Sequence, residues 1–451
     1  MQNWLRRWSA ALVASLTLAA CGGDDDPSTV LDVIKSDTQT QVLAEAVTAA
    51  GLESALSAKG PLTVFAPTDA AFTALLAELG LTKAQLLADK PLLTAVLQYH
   101  VLGNRVARAD VPLGKAITPL AGGFFKVDAV AGNLVITDGR NRSSRITTTD
   151  VARDNGVVHV VDKVLLPANR TIVQTAQALP DFSILVEAVV AADLAGTLSG
   201  TGPFTVFAPT NAAFASLLTE LGLSKAELLA NKALLTQVLT YHVLPSRVLK
   251  ADVPVGAAIT TVQGETFSVN SALAITDRNG RQARITGTDV LTSNGVVHVV
   301  DKVILPKLPT VVELAQAKPD FSILVEAVVA ADLAGTLSGA GPFTVFAPTN
   351  AAFASLLDEL GLTKAQLLAD KALLTQVLTY HVVPGRVYRS GVPVGVAVAT
   401  VQGGTFTVGS DLAITDARGR RAGITATDAL ALNGVVHTLD KVILPAPAAA
   451  R

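Results

Sequence analysis

The sequence predicts an α+β protein made of three copies of one domain, each with helices first and a mostly antiparallel sheet afterwards. Two observations predict this. The six histidines fall into two sequence contexts that each occur three times, and equivalent histidines in the second and third copies are 139 residues apart. Within each copy, apolar spacing of three and four residues precedes alternating, β-branched segments. A unit of this length exceeds the ~20 to 50 residues of a solenoid repeat and can bury its own core.

The first half of the second copy predicts helices around a short strand. Residues 171–200 have helical spacing that is broken at Pro180, which indicates two helices. After the strand, a further helix is expected to end at Gly222. Ser224 and Glu227 then have the spacing of a capping box, and the other two copies repeat that spacing.

The second half of each copy predicts strands joined by turns that contain Gly and Asn. The last strand, "NGVVHVVDKV" at residues 294–303, carries His298 among valines. The first copy is three residues longer, because His100 and His242 are 142 residues apart. The extra residues fall in "AVAGN" at 129–133, which is therefore expected to be a hairpin tip, where added length costs little.

The N-terminal segment resembles a bacterial lipoprotein export signal. Arg6 and Arg7 precede an apolar run of about 11 residues, which is shorter than the ~20 needed to span a bilayer. "LAAC" resembles a lipobox, so Cys21, the only cysteine, is expected to be lipidated. The alternative is an ordinary cleavage site with an incidental cysteine. Export with a lipid anchor to the cell envelope is expected, facing the periplasm or the cell surface, and Gly22 favours the outer membrane.

These features give the following predicted organisation: signal peptide 1–20, lipidated N-terminus and tether 21–27, domains 28–167, 168–306 and 307–445, and tail 446–451. The formal net charge is −2 and 16% of residues are charged. Such a weak charge excess argues against nucleic acid as a partner. With one cysteine, the chain forms no internal disulfide and its stability depends on packing.

Three motifs carry a family resemblance. "TVFAPTNAAFASL", "YHVL" and "NGVVHVVDKVLLP" recur in this order, and together they resemble the fasciclin-like domain family over roughly residues 28–445. The resemblance implies a compact β-wedge with helices packed along it, in tandem on exported proteins that mediate adhesion or contact matrix and polysaccharide. It implies a glycan or protein partner, no enzymatic role, no cofactor and no catalytic residue.

The histidines of the last strand, His159, His298 and His437, are predicted to be structural, with a ring N–H that satisfies a buried carbonyl or a loop hydroxyl. The alternative is a periplasmic enzyme or metal-dependent protein that uses both histidine contexts. No HxxxH, HxH or CxxC pattern occurs in the sequence, so no metal ligand is assigned.

Each copy also contains the residue types of a catalytic serine triad. In each copy the triad would combine one serine, one of the two histidines and one aspartate; the serines are Ser57, Ser199 and Ser338, and the aspartates are Asp150, Asp289 and Asp428. The serine lacks the G-x-S-x-G turn of a nucleophile elbow, which argues against this chemistry.

The Tyr-His pairs are candidates for contact with a partner, because the resemblance makes them an adhesion motif. Each pair follows a helix and is predicted to start a strand, where adjacent side chains point to opposite faces, so one ring is expected to reach the surface. The alternative is packing alone. The candidates are Tyr99, His100, Tyr241, His242, Tyr380 and His381.

Each copy also carries an arginine-rich turn. Arginine offers a planar fork to carboxylate or sulfate, so three such turns are candidates for binding an anionic glycan. The alternative is a solvated turn in which the arginines pair with Asp138, Asp277 or Asp416. The candidates are Arg140, Arg142, Arg145, Arg278, Arg281, Arg284, Arg418, Arg420 and Arg421.

Overall fold

The computed structural model describes residues 28–447. The predicted export signal, Cys21 and the tether at 21–27 lie outside the described residues. The chain divides into two compact units. The first unit contains the first domain up to Pro167, except for residues 114–116 and 139–141. Those two segments belong to the second unit, together with the residues from 168 onwards. Between residues 28 and 447, no helix has both the length and the apolar character needed to cross a membrane.

The first domain is built from these elements: α1 (Val30–Ser36), α2 (Gln41–Ala50), α3 (Glu53–Ser57), β1 (Leu62–Pro67), α4 (Asp69–Leu79), α5 (Lys83–Ala88), α6 (Lys90–Tyr99), β2 (Val101–Leu102), β3 (Ala116–Ile117), β4 (Phe125–Val130), β5 (Asn133–Thr137), β6 (Ser143–Arg153) and β7 (Gly156–Val161).

The second domain repeats the order: α7 (Ile172–Gln177), α8 (Ser183–Ala191), α9 (Ala195–Leu198), β8 (Phe204–Pro209), α10 (Asn211–Leu221), α11 (Lys225–Ala230), α12 (Lys232–Tyr241), β9 (Val243–Leu244), β10 (Ala258–Thr260), β11 (Thr266–Val269), β12 (Ala274–Thr276), β13 (Gln282–Thr292) and β14 (Gly295–Val300).

The third domain repeats it again: α13 (Val311–Gln316), α14 (Ser322–Ala330), α15 (Ala334–Leu337), β15 (Phe343–Pro348), α16 (Asn350–Leu360), α17 (Lys364–Ala369), α18 (Lys371–Tyr380), β16 (Val382–Pro384), β17 (Ala397–Ala399), β18 (Thr405–Val408), β19 (Ala413–Thr415), β20 (Arg421–Ala431) and β21 (Gly434–Leu439).

Each domain has one mixed sheet. In the second domain the strand order is β10-β11-β12-β13-β14-β8-β9. The fifth and sixth strands of this order, β14 and β8, are parallel with His298 opposite Phe207, and the described pairings on either side are antiparallel. Helices precede most of the strands along the chain, so the α+β prediction is confirmed.

The ends of the helices follow local rules. The side chain of Ser224 accepts from the Glu227 amide in the predicted capping box, and Gly222 ends α10 in the left-handed conformation at φ 66°. The second of the two helices predicted in residues 171–200, expected to end near Gly196 or Gly200, ends at Ala191. Asp193 takes φ 57° after α8, which breaks the helix, and α9 forms separately.

The core of each domain has two parts, one on each side of the parallel strand pair. In the second domain, the first part packs helices against the sheet and includes Phe214 and Leu235. The second part lies among the strands, where Phe207 meets Phe267 edge-on at 5.1 Å between ring centroids. This arrangement places a histidine beside each part of the core.

A buried asparagine of the "NGVVH" motif ties the two halves of each domain together. In the second domain, the Asn294 amide donates to the carbonyls of Leu198 and Gly200 at 2.8 and 2.7 Å, and its oxygen accepts from Ile172 N at 2.9 Å. Asn155 and Asn433 make equivalent bonds. The motif therefore connects the first helix and the loop after the third helix to the last strand.

Candidate functional site

The first histidine context lies at the end of a helix. His242 is the C-cap of α12, its Nδ1 lies 2.7 Å from the Val238 carbonyl oxygen, and its Nε2 accepts from the Ile304 amide at 3.1 Å. An amide can only donate, so Nε2 is the acceptor and Nδ1 carries the proton. Burial lowers the pKa of His242 to about 4, and the same holds for His100 and His381.

The expectation that one ring of each Tyr-His pair reaches the surface is wrong. Tyr99, Tyr241 and Tyr380 are fully buried, and His100, His242 and His381 are buried beside them. The reason is local: the tyrosine is the last residue of a helix and the histidine is its C-cap, so the two do not alternate as strand residues do. The Tyr241 hydroxyl donates to the Thr266 carbonyl at 2.9 Å, which satisfies it inside the domain.

The second histidine context uses the opposite tautomer. His298 Nε2 donates to the Val248 carbonyl oxygen at 2.9 Å, and its Nδ1 accepts from the Asp289 amide at 3.3 Å. The ring also packs against Phe207 with centroids 5.3 Å apart. His159 and His437 make the corresponding bonds. All twelve imidazole nitrogens of the six histidines therefore have backbone partners, which leaves none for a metal ion or for proton transfer.

The triad drawn from the sequence is not assembled. Both ring nitrogens of His298 are hydrogen-bonded to main-chain groups, one to Val248 and one to Asp289. Neither nitrogen is therefore available to a serine hydroxyl. The Asp289 carboxylate accepts instead from the Lys250 amide at 2.8 Å. Within residues 28–447 there is also no group of three His, Cys, Asp or Glu side chains that is arranged to hold a metal ion.

One arginine of each turn belongs to the scaffold. Arg281 donates to the Val303 carbonyl oxygen at 3.0 Å and lies 2.6 Å from a Glu220 carboxylate oxygen and 3.4 Å from Asp277. The Asp277 side chain is fully buried and also accepts from the Leu305 amide at 3.0 Å. Arg142 and Arg420 occupy the same position in their domains and make the same kinds of contact. This arginine is the one found at the same position in all three domains, and its hydrogen bonds attach the turn to the rest of its domain.

The other turn arginines differ between domains. Arg145 and Arg284 are exposed at equivalent positions, but the third domain has Gly423 there. Arg278 is exposed, with Nε 3.7 Å from Glu265, and Arg140 is half-buried. Arg418 and Arg421 are exposed too, and they bind the Pro445 carbonyl at 2.9 Å and Asp411 at 2.5 Å. Anionic glycan binding by these side chains stays a prediction.

Two exposed apolar positions recur in all three domains. They flank the edge strand of each sheet, and their side chains are between 47% and 57% exposed. We call them the turn-tip residues; they are Leu113 and Leu120, Val255 and Val262, and Val394 and Val401.

Turn geometry holds these side chains in solvent. In the second domain, Ala257 N donates to Pro254 O at 3.2 Å, and Gly256 takes φ 78°. This is the pattern of a turn whose third residue needs glycine, and it places Val255 at the tip. Val262 is the second residue of another turn, closed by Gly264 N to Thr261 O at 3.0 Å. The tips are therefore set by the backbone and not by packing.

The Fasciclin domain model matches residues 38–167, 180–306 and 319–445. The chain belongs to the fasciclin domain family. Its three fasciclin domains coincide with the three sheets, and the predicted β-wedge architecture with packed helices is confirmed.

Several proteins are similar to this chain. Transforming growth factor-beta-induced protein ig-h3 from Sus scrofa is 27% identical over 416 residues, which are 92% of this chain and 57% of the relative. Protein sll1483 from Synechocystis is 43% identical over 152 residues, 33% of this chain and 81% of the relative. A solved fasciclin domain pair from the insect cell adhesion molecule Fasciclin I covers 61% of this chain and 95% of its own, at 18% identity and a TM-score of 0.31. The chain spans about half the length of the first curated relatives it matches.

The turn-tip residues are the feature of these fasciclin domains that the sequence analysis missed. A signal was available, because "VPLG" in the first domain and "VPVG" in the other two place an apolar residue between proline and glycine. That pattern is typical of a turn with an exposed second residue, whereas an isolated valine or leucine in a β-rich region normally indicates a strand.

Proposed function

We propose that this chain is a non-enzymatic adhesion protein whose three fasciclin domains bind a partner protein through the turn-tip residues. The observation that carries this proposal is the recurrence of two exposed apolar side chains in the same turns of all three domains. Single exposed apolar residues are common on proteins and need no explanation, but a repeated arrangement does.

The first domain makes the recurrence informative. The second and third domains are nearly identical in sequence, so agreement between them reflects duplication. The first domain has diverged: where it has Lys115, the others have Ala257 and Val396. It nevertheless keeps large apolar side chains at both tips, as Leu113 and Leu120.

The chemistry of the tips favours a protein partner. Leucine and valine offer no hydrogen bond, and their free energy of binding comes from apolar surface removed from water. A protein surface with small apolar patches supplies such area, whereas a polysaccharide presents mainly hydroxyl groups. Each contact is small, so the presence of three domains on one chain supports binding by multiplying weak contacts.

The backbone bonds of the histidines support a non-enzymatic role. A general base or metal ligand needs a free ring nitrogen, and each of the six rings has both nitrogens bound to main-chain groups. The alternative of a periplasmic enzyme or metal-dependent protein would require these bonds to be broken first.

Bead adhesion tests the proposal. Beads coated with the full chain are expected to adhere to cells of the producing organism and to lose adhesion when all six turn-tip residues are changed to serine. The matched control changes Val190 and Val329 to serine, since these helix residues are 57% and 60% exposed but lie outside the turns. Equal loss in the control would refute a specific role for the tips.

The exposed turn arginines favour a second candidate, binding of an anionic glycan. Arg145, Arg284 and Arg421 each present an exposed guanidinium on β6, β13 or β20. Retention of the chain on immobilised heparin or alginate at moderate salt is expected to fall in the variant R145S/R284S/R421S. The charge-matched control is K163S/K302S/K441S, which removes one exposed lysine from each domain. Equal retention by both variants would refute this candidate.

Lipid anchoring at Cys21 is a separate part of the proposal, supported by the "LAAC" motif. Mass spectrometry of the protein extracted from membranes with detergent is expected to show an acylated N-terminal cysteine. The variant C21S is expected to appear in the soluble fraction. A membrane-bound C21S protein would contradict the anchor.

A further inference from the structure

A short segment of the third domain clamps onto the second domain. We call residues 386–390 the clamp segment. The Tyr388 hydroxyl donates to Leu221 O at 2.9 Å, and Arg386 donates to Glu220 O at 3.2 Å. Ser390 donates to the Glu227 carboxylate. Tyr388 is 6% exposed, so its ring is buried where the two domains of this unit meet.

The surface that receives the clamp segment is the corner between two helices. It is formed by the end of α10 and the start of α11, residues 220–227, and we call this kind of surface the helix corner. The last carbonyls of a helix lack partners within the helix, and they carry the negative end of its dipole. Arg386 and Tyr388 donate to two of these carbonyls, so the clamp segment satisfies groups that the helix leaves open.

The third domain has the same helix corner at residues 359–366. Its sequence, "ELGLTKAQ", differs from "ELGLSKAE" of the second domain by Thr for Ser and Gln for Glu. The Gln366 side-chain oxygen accepts from Thr363 in the capping box, so its NH2 group stands where Glu227 accepts from Ser390, and that group can donate to a hydroxyl oxygen. The equivalent leucines of the two helix corners differ in exposure. Leu221, which lies under the clamp segment, is 3% exposed, whereas Leu360 is 40% exposed.

The clamp segment also recurs, but its anchor residue changes. The equivalent sequences are "RVA" at 105–107, "RVL" at 247–249 and "RVY" at 386–388. The first domain thus has the arginine, but it has Ala107 where the third domain has the buried Tyr388. Without a large side chain, most of the apolar contact of the clamp is lost.

We infer that the helix corner of the third domain is a docking site for the clamp segment of another fasciclin domain, one with a large side chain such as that of Tyr388 at the anchor position. The interface between the second and third domains supplies the geometry, and Leu360 is the exposed counterpart of the covered Leu221. Ala107 prevents copies of this chain from joining head to tail, which would otherwise form an open-ended assembly. The helix corner is a different surface from the turn tips, so this docking site does not depend on the proposed adhesion role.

Installing the missing anchor in the full chain tests the docking site. Sedimentation velocity is expected to show a wild-type monomer, and concentration-dependent association of the Ala107→Tyr variant. Ala107→Leu provides a second variant, with the residue that the second domain has at this position, in case tyrosine disturbs folding, which circular dichroism checks. Adding Leu360→Asp to either variant is expected to restore the monomer, and Leu360→Asp alone is expected to fold and sediment as the wild type does.

Several outcomes would overturn the inference. Folded Ala107→Tyr and Ala107→Leu variants that both remain monomeric would show that the third helix corner does not accept an anchored clamp segment. Association that persists with Leu360→Asp would place the contact elsewhere. Wild-type association that Leu360→Asp abolishes would show that a second copy docks without an anchor, which contradicts the role assigned to Ala107.

Discussion

The Ile304 amide donates a hydrogen bond to His242 Nε2 over 3.1 Å and thereby fixes the proton of that ring on Nδ1. Nδ1 lies 2.7 Å from the Val238 carbonyl oxygen, four residues earlier in the helix. The neutral imidazole thus links the end of α12 to the segment that follows the last strand. A second proton on the ring would break the bond to Ile304 and bury a charge.

This arrangement predicts that stability falls with pH below the usual histidine range. The pKa of His100, His242 and His381 is lowered from 6.5 to about 4 by burial. Because the pKa is lower in the folded state, the unfolded chain binds more protons between pH 6.5 and 4. The free energy of unfolding therefore decreases as the pH falls through that window, by roughly 3 kcal/mol per domain when complete.

Urea unfolding at pH 7, 6 and 5 measures this effect, since most carboxylates remain ionised over that range. The variant H100Q/H242Q/H381Q is expected to be less stable at pH 7 and to lose most of the dependence on pH. If the variant keeps the full dependence of the wild type, other groups are responsible.

The two kinds of turn arginine predict a sharp contrast between neighbours. Arg281→Ser removes the cation beside the buried Asp277 carboxylate and is expected to lower the free energy of unfolding by about 3 kcal/mol. Arg284→Ser changes an exposed side chain and is expected to stay within ~0.5 kcal/mol of the wild type. Chemical denaturation of the two variants provides the comparison, and equal losses of stability would contradict the structural role of Arg281.

The buried asparagine gives a further stability prediction. Asn294→Ala removes three hydrogen bonds that join α7, the loop after α9 and β14, at about 1 kcal/mol each. The variant is expected to lose about 3 kcal/mol in urea unfolding. Gln237→Ala, at an exposed position of α12, is the control and is expected to be neutral. Wild-type stability for Asn294→Ala would show that the motif is not needed for the fold.

Much of the fold could be predicted from the sequence because its signals are local. The capping box at Ser224, the glycine end of α10 and the strand around His298 depend on residues a few positions apart, and the structure confirms them. The extra residues of the first domain likewise fall at the turn between β4 and β5. Each of these features is set by backbone chemistry that neighbouring residues decide.

The side-chain environments depended on contacts over longer distances, and the predicted surface exposure of the Tyr-His pairs was wrong. The Tyr-His pair lies at a helix end, and a shift of one or two residues in that boundary changed the predicted direction of both rings. The role of Arg281 depends on Glu220, 61 residues earlier. The clamp depends on Tyr388 and Leu221, 167 residues apart. Sequence patterns do not encode such contacts.

The clamp predicts that Tyr388 protects the helix corner of the second domain. Tyr388→Ala removes a buried ring and a hydrogen bond to α10, so amide hydrogen exchange in residues 220–231 is expected to become at least tenfold faster. Tyr388→Phe keeps the ring and is expected to have a smaller effect. Unchanged exchange in Tyr388→Ala would show that the ring does not hold the two domains together.

The proposed function requires that adhesion depend on the turn tips of all three domains acting together. Its most direct test is the shear force needed to detach coated beads as the tips of one, two and three domains are changed to serine, with V190S/V329S as the control. The detachment force is expected to fall steeply with each added domain, and the control beads are expected to detach as the wild type does. Full detachment force after all six substitutions would contradict it.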